Sequence, residues 1–499
     1  MTRRGIAVSL RVPAIALALG ALCVLGFAPF NAHLAVWPVP ILALGGLFVL
    51  WSKASTAREA MLLGLAWGAG CFLLGVSWVY VSLSQFGGMA APAAAAATLL
   101  FCLYLALFPA LAGGLFFRWR RDTPSDALLF AGLWTLAEWL RGNLFTGFPW
   151  LAVGYSQSPP SPLAGWASVL GVYGVGFMVA LIGGLLGRMS GAMRTPAWRK
   201  PAPWVAILLL LGLGGLLRMM DWTQALGTPI TVSLLQGNVP QSLKWDPKRL
   251  PLSLDTYLRL AQTHPATLTV LPETALPLYF NEVPREVLRG LTRNGDALIG
   301  VAVATADGGY TNGAVALTPA LAAQAYAKRH LVPFGEYPPP GFAWFFRFAR
   351  IPMSDFTAGP PRQEALPIAG QRIAPNICYE DLFGEELLGA LPAASLLVNM
   401  SNTAWFGDSL AQPQHLQIAQ LRAIETGRVM LRATNTGMTA MVGPDGIIVA
   451  ALPPFTTDAL VVQAQGRTGL TPYARWGNLL ALLIAIGACL TAVRRRKSL

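Results

Sequence analysis

The chain has 499 residues, a formal net charge of +13, and a composition that is 54% hydrophobic and only 12% charged, about half the charged fraction usual for a soluble protein. That balance excludes an ordinary soluble globular protein. It also argues against nucleic acid as a partner, because the basic residues fall in short clusters between apolar runs rather than along one polar face.

In chain order, apolar runs long enough or nearly long enough to cross a bilayer core occupy Leu10–Phe30, Trp37–Trp51, Met61–Leu83, Ala90–Phe117, Ala127–Leu140, Leu163–Leu186, Trp204–Leu217 and Trp476–Val493. The reading predicts a membrane α-helical bundle of about eight spans, three of them (Trp37–Trp51, Ala127–Leu140 and Trp204–Leu217) short. Loops rich in Lys and Arg stay in the cytoplasm. Arg3 and Arg4 precede the first span, Lys53 and Arg58 follow the second, and Arg118, Arg120 and Arg121 follow the fourth. Arg188, Arg194, Arg199 and Lys200 follow the sixth, and Arg494, Arg495, Arg496 and Lys497 follow the eighth. With eight spans every basic cluster lands on one side, and opposite loops such as Ser84–Met89 are nearly uncharged. The expected organisation is therefore a bundle of seven spans over 1–217, an exported domain over 218–475, and a last span with a basic cytoplasmic tail over 476–499. A cleaved signal peptide is the alternative for the first span, disfavoured because further spans follow at once.

Cys23, Cys71, Cys102 and Cys489 fall in predicted spans, where small apolar residues are the expected role. Cys378 alone lies in the exported segment, so no internal disulfide is available there, although that compartment favours them.

The exported segment switches to short β-rich runs at Ile230–Leu235, Thr267–Leu271, Ala297–Ala304, Gly313–Leu317, Ala323–Ala327, Ile373–Ile377, Leu396–Asn399, Met438–Val442 and Ile447–Ala451, bounded by Gly, Pro, Asn and Asp. Gly443–Gly446, "GPDG", reads as the turn joining the last two. Pro413–Arg428 carries Leu416, Ala419, Ala423 and Gly427 at helical spacing. Mixed strands and helices over this length predict one domain of sheets covered by helices. No repeat, low-complexity tract or metal-binding spacing is present in the sequence.

Three reactive residues follow strand-like runs: Glu273 after "LTVLP", Lys328 after "AQAYA" and Cys378 after "IAPNI". In α/β folds chemistry collects at the carboxyl ends of strands, so the three can converge. A thiol needs a base, and Glu273 is the candidate. Attack on a carbonyl creates an oxyanion, which Lys328 and backbone N–H groups after the cysteine would stabilise. Lys328 would also offset Glu380 and Asp381, the acids that follow the thiol and would otherwise dull it. Taken singly, a Glu after Pro or a Lys after a strand is usually solvated surface.

The motifs "LPET" around Glu273, "YAKRHLVPFGEY" around Lys328 and "NICYED" around Cys378 resemble the Glu-Lys-Cys signature of the nitrilase, or carbon-nitrogen hydrolase, superfamily. With apolar spans on both sides, the chain is similar to the apolipoprotein N-acyltransferase family. "GFAPF" at Gly26–Phe30, "EWLRG" and "TGFPW" within Glu138–Trp150, and "QGNVPQSLKW" at Gln236–Trp245 extend the likeness over nearly the whole chain. The resemblance implies an αββα sandwich on a helical bundle in the bacterial inner membrane, with the catalytic domain on the periplasmic side. It implies Glu273 as general base, Lys328 as oxyanion stabiliser and Cys378 as nucleophile, with Glu336, Tyr379, Glu380 and Trp245 as supporting or substrate-binding positions. It implies no cofactor and no metal. The reaction it implies is acyl transfer from a membrane phospholipid, phosphatidylethanolamine, through a Cys378 thioester to the α-amine of a diacylglyceryl-modified apolipoprotein.

The rival enzyme is a membrane-tethered amidase that hydrolyses a C–N bond with the same triad. A transporter would line its spans with ionisable residues, and these carry few; a non-catalytic lipoprotein-binding module would survive loss of Cys378. Two further segments invite a reading. Pro338–Met353 has aromatic and basic residues suited to a lipid interface, and Glu138 and Arg141, three apart near a helix end, are placed to pair with each other.

Overall fold

The computed structural model describes residues 3–31, 36–190, 200–241, 248, 250–339, 341 and 355–494. The chain divides into two compact units, one of Met1–Tyr80, Pro92–Met220 and Arg475–Leu499, the other of Val81–Ala91 and Asp221–Ala474.

The first unit is helical. Its long helices are Arg3–Cys23, Pro38–Lys53, Ala57–Gly75, Ala91–Trp119, Asp126–Arg141, Ala167–Met189, Pro201–Arg218 and Leu479–Arg494. Among the described residues, Ala57–Gly75, Ala91–Trp119, Pro162–Met189 and Pro201–Arg218 are long and apolar enough to cross a membrane; Arg11–Gly26, Pro38–Lys53 and Leu479–Ala492 are apolar but shorter. Their outward faces are apolar: Leu99, Leu100, Leu107 and Leu111 are exposed on one helix, Leu208, Leu209, Leu213 and Leu216 on another. Contiguous apolar surface of this kind marks contact with lipid or a partner. Helices approach closely where side chains are absent, and a Cβ at Gly70 would lie 2.0 Å from the Leu17 carbonyl oxygen. The helix expected over Met61–Leu83 stops at Gly75, and Ser82–Phe86 forms a π-turn.

Glu138 and Arg141 do approach each other, at 3.9 Å. Arg141 spends its hydrogen bonds on the carbonyls of Phe148 and Trp150, at 2.5 and 2.7 Å, while Glu138 accepts from the Val153 N–H at 2.8 Å. The pair therefore fastens the loop after its own helix.

The second unit is built on two sheets. The first has the order Asp458–Ala464, Ile230–Gln236, Leu268–Val270, Asp296–Ala304, Tyr310–Leu317, Ala323–Ala327, with Leu276–Tyr279 added beside Asp296–Ala304. The second runs Ile448–Ala451, Ala440–Val442, Met430–Thr434, Leu396–Ser401, Gln371–Ile377, Leu366–Ile368. Side chains alternate across each strand, and here both faces are apolar. Val232, Leu234, Val270 and Leu298 from the first sheet meet Ile373, Ile377, Val398 and Leu431 from the second in one core. On the outer face of the first sheet, Leu235, Ile299, Val301 and Val315 pack with Tyr257 and Leu260 of helix Leu250–Thr263 and Leu288 of helix Arg285–Leu291. On the outer face of the second, Leu397, Met430 and Val442 pack with Leu416, Ala419 and Ala423 of helix Ala411–Thr426. The layers are helix, sheet, sheet, helix, and strands buried on both faces read as continuous apolar runs.

Strands at Leu276–Tyr279, Leu366–Ile368, Met430–Thr434 and Asp458–Ala464 fall outside the runs expected from sequence. They are short or lie within stretches broken by proline or polar residues. Gly443–Gly446 is the turn expected, its ends joined by the Gly446 N–H donating to the Gly443 carbonyl at 2.9 Å. Gln224–Ala225 pairs antiparallel with Arg467–Thr468, tying the chain's entry into this unit to its exit.

Candidate active site

Leu268–Val270 runs parallel to Asp296–Ala304, and two antiparallel steps restore that direction in Ala323–Ala327. Glu273 and Lys328 therefore emerge from the same edge of the first sheet. Between them Tyr310–Leu317 runs the opposite way, so its early residue Asn312 lies at that edge too. Cys378 and Asn402 follow the parallel strands Gln371–Ile377 and Leu396–Ser401 of the second sheet. Packing the sheets face to face brings these ends together.

At their meeting point the Lys328 Nζ donates to Glu273 Oε1 at 3.2 Å and to Glu336 Oε1 at 2.8 Å. Asn312 Nδ2 donates to the same two oxygens, at 2.7 and 3.0 Å. The Asn402 N–H crosses from the other sheet to Glu273 Oε2 at 2.8 Å, and the Val332 N–H donates to Glu336 Oε2 at 2.8 Å. Glu273, Lys328 and Glu336 are all buried, Lys328 to 1% exposure. Beneath Glu273 the backbone of Gly300 comes so close that a Cβ there would lie 2.0 Å from the Pro272 carbonyl oxygen. Glu273 is thus held from below by backbone and from the sides by donors.

Burial alone would lower the Lys328 ammonium, but the carboxylates of Glu273 and Glu336 outweigh it and hold the group well above its ordinary range. Lys328 is a fixed cation. Burial pushes the Cys378 thiol up, with Glu273, Glu336 and Asp381 adding to the effect and Lys328 opposing it. The resting sulfur is therefore a thiol, and reaction requires a base beside it.

Cys378 sits at a sharp turn from strand into the 3₁₀ segment Cys378–Leu382, with φ of +54°. A left-handed conformation in a residue bearing a Cβ costs on the order of 1–3 kcal/mol and persists where its surroundings enforce it. Glu380 is one enforcer. Its carboxylate accepts from the Ile377 N–H at 2.6 Å, just before the cysteine, and from the Arg329 and His330 N–H groups at 2.6 and 3.2 Å, just after the lysine. The Tyr326 hydroxyl adds a bond of 3.0 Å to each oxygen. Burial raises the Glu380 carboxyl to about 7 against these donors. One carboxylate thereby clamps the turn of the thiol to the loop of the ammonium. Tyr379 is buried edge-on to His330 and Phe383, and those two rings stack at 3.5 Å.

The structure thus brings together Glu273, Lys328, Glu336, Cys378, Tyr379 and Glu380. Trp245 and most of Pro338–Met353 lie outside the described residues. One expectation is corrected: Asp381 is not offset by Lys328. It pairs with Arg432 at 3.1 Å and His415 at 2.7 Å. Asn312, Asn402 and Tyr326 were not singled out from sequence. Asn312, in "YTNGAV", and Asn402, in "MSNTAW", carry the ordinary signal of a turn, and Tyr326 that of a strand.

Residues 19–185 match the family described as apolipoprotein N-acyltransferase N-terminal domain, and residues 231–473 match carbon-nitrogen hydrolase. The chain is 46% identical to an apolipoprotein N-acyltransferase of Nitrosomonas europaea over 97% of its own length and 98% of that protein. It is 44% identical to the enzyme of that name from Ralstonia nicotianae, over 97% of this chain and 93% of the relative. With that from Chromobacterium violaceum the identity is 46%, over 96% of this chain and 93% of the relative. With both domains matched and relatives of this identity along nearly its whole length, the chain belongs to the apolipoprotein N-acyltransferase family.

Proposed function

We propose that this protein transfers an acyl chain from a membrane phospholipid, through a Cys378 thioester, to the α-amine of the diacylglyceryl-modified N-terminal cysteine of apolipoproteins. Family membership supports the acyltransferase reading over the amidase alternative. The observation that carries the chemistry is one buried cluster in which Lys328 bonds both Glu273 and Glu336 at the strand ends, with Cys378 at the end of the facing strand.

In the first step Glu273 takes the proton from Sγ as sulfur attacks the ester carbonyl carbon. Charge developing on the carbonyl oxygen is met by the Lys328 ammonium and a backbone N–H after the cysteine. The C–O bond then breaks, Glu273 returns the proton to the departing alkoxide, and a lysophospholipid leaves. In the second step the neutral α-amine attacks the thioester carbonyl and loses a proton to Glu273. The C–S bond breaks, an amide forms, and the thiolate recovers the proton. Glu336 and Asn312 hold Lys328 and Glu273 in register through both steps; Glu380 holds the turn, and Tyr379 packs beside it. Trp245 completes the supporting set proposed from the family motifs.

The basic clusters of the sequence support eight spans with the second unit on the periplasmic side, the side of the outer leaflet from which lipid-anchored substrates would come. Phosphatidylethanolamine is the proposed donor. Incubation with this lipid and a diacylglyceryl-cysteinyl peptide should yield an N-acylated peptide; release of free fatty acid in its place would show water, not the amine, as the acceptor and sink the transferase reading.

The orientation has its own test. A cysteine placed in Ser84–Met89 should react with an impermeant maleimide in intact spheroplasts, whereas one in Ser190–Pro196 should not. The reverse pattern would put the site in the cytoplasm.

A further inference from the structure

Behind the Cys378 turn lies a row of polar side chains that the acyl-transfer chemistry does not use directly. In the second sheet Asn399 is in register with Asn376 on one neighbouring strand and Arg432 on the other. Ile377, Val398, Leu431 and Ala433 point into the space between the sheets, so these three residues, one position out of phase, lie on the face toward helix Ala411–Thr426. All are buried to 1% exposure or less. Asn399 Nδ2 donates to Asn376 Oδ1 at 2.7 Å and to the Cys378 carbonyl at 3.2 Å. Its Oδ1 accepts from Arg432 Nη1 at 2.8 Å and Ser401 Oγ at 2.6 Å, and these two donors determine which way the amide faces. Arg432 Nη1 also reaches Asp381 Oδ2, whose partner oxygen meets His415 Nε2. The connections close a ring: Cys378 carbonyl, Asn399, Arg432, Asp381, and back along the chain to Cys378.

The Cys378–Tyr379 bond is not among the cis peptides. In a planar trans peptide the C=O and the following N–H point in opposite directions. A carbonyl anchored toward the helix face therefore turns the Tyr379 N–H toward the other side of the sheet, the side on which the Cys378 side chain packs. We propose that Asn399, fixed by Arg432 and Asp381, sets the plane of the Cys378–Tyr379 peptide and so aims the Tyr379 N–H at the developing oxyanion. Asn399, Arg432 and Asp381 are positioning residues. The inference rests on Cys378 being the nucleophile of the proposed function.

The test separates two reactions of one sulfur. Acylation by phospholipid passes through an oxyanion; alkylation by iodoacetamide is displacement at a saturated carbon and needs none. Asn399→Asp keeps the shape and the acceptors for Arg432 and Ser401 while removing the donor to Cys378. Asn376 can turn its amide to donate, since its Nδ2 has no partner among the described residues. Asn399→Ala removes the same donor without adding charge. Measured on full-length protein in phosphatidylethanolamine liposomes, acylation of Cys378 should fall about 10²–10³-fold in both variants, as for loss of one oxyanion donor, while alkylation stays within about threefold of wild type. Acylation kept near the wild-type rate in either variant, or alkylation falling by the same factor as acylation, would overturn the proposal. Failure of the wild-type protein to acylate at Cys378 would instead remove the underlying nucleophile assignment.

Discussion

Purified protein incubated with phospholipid alone is expected to gain one acyl chain on Cys378, through a bond that hydroxylamine cleaves, and Cys378→Ala is expected to gain none. The effect should be the largest of any single substitution, because removing a nucleophile costs on the order of 10⁶ in rate and leaves only background. The variant should fold, since alanine keeps the Cβ and loses only a sulfur at the rim of the core between the sheets. Mass spectrometry of intact protein, then of its peptides, reads the result. A chain on another residue, or on the alanine variant, would end the thioester mechanism.

Glu273 and Lys328 carry the second large expectation. Glu273→Gln should slow thioester formation about 10²–10⁴-fold, the range for a lost general base. Its residual rate should climb about tenfold per pH unit, because a thiol held above its ordinary range ionises only as hydroxide rises. Lys328→Met should lose about 10²–10³-fold by removing oxyanion charge. The two differ in stability. In Glu273→Gln whichever oxygen becomes NH₂ meets a donor, Asn402 N–H on one side or Lys328 and Asn312 on the other, at a cost of about 1–3 kcal/mol. Lys328→Met leaves two buried carboxylates facing each other without their cation, at about 3–5 kcal/mol. Adding Glu273→Gln to Lys328→Met should therefore recover part of the melting temperature while leaving acylation little worse than in the poorer single variant. Additive losses in both rate and stability would show that the two residues do not share one transition state.

Much of this arrangement was legible in the sequence, for identifiable reasons. Strands buried on both faces gave runs such as Ala297–Ala304 and Leu396–Asn399, and the reactive residues followed such runs. Glu273, Lys328 and Cys378 could be placed at strand ends because α/β folds concentrate chemistry there. Met430–Thr434 escaped notice because Arg432 interrupts its apolar run, and the reason for a buried arginine appears only when Asp381 and Asn399 arrive from elsewhere in the chain. From sequence alone, the acids after Cys378 read as a burden on the thiol that Lys328 relieves. Glu380 proved to be a clamp on three backbone N–H groups and Asp381 one arm of a separate ion cluster, roles that depend on contacts across more than thirty residues. No local pattern records such contacts.

The division of the site between two sheets has a consequence for the chain as it matures. Glu273, Asn312 and Lys328 belong to the first sheet and Cys378 to the second, and the bond from Asn402 to Glu273 joins positions 129 residues apart. Such a loop must close before the contact rewards it, which makes it a late event in folding. A copy with only one sheet complete carries either the Glu273 carboxylate without the Cys378 thiol or the thiol without the carboxylate. Under the proposed mechanism an immature copy therefore has no complete triad, and the capacity for acyl transfer arrives with the last act of folding.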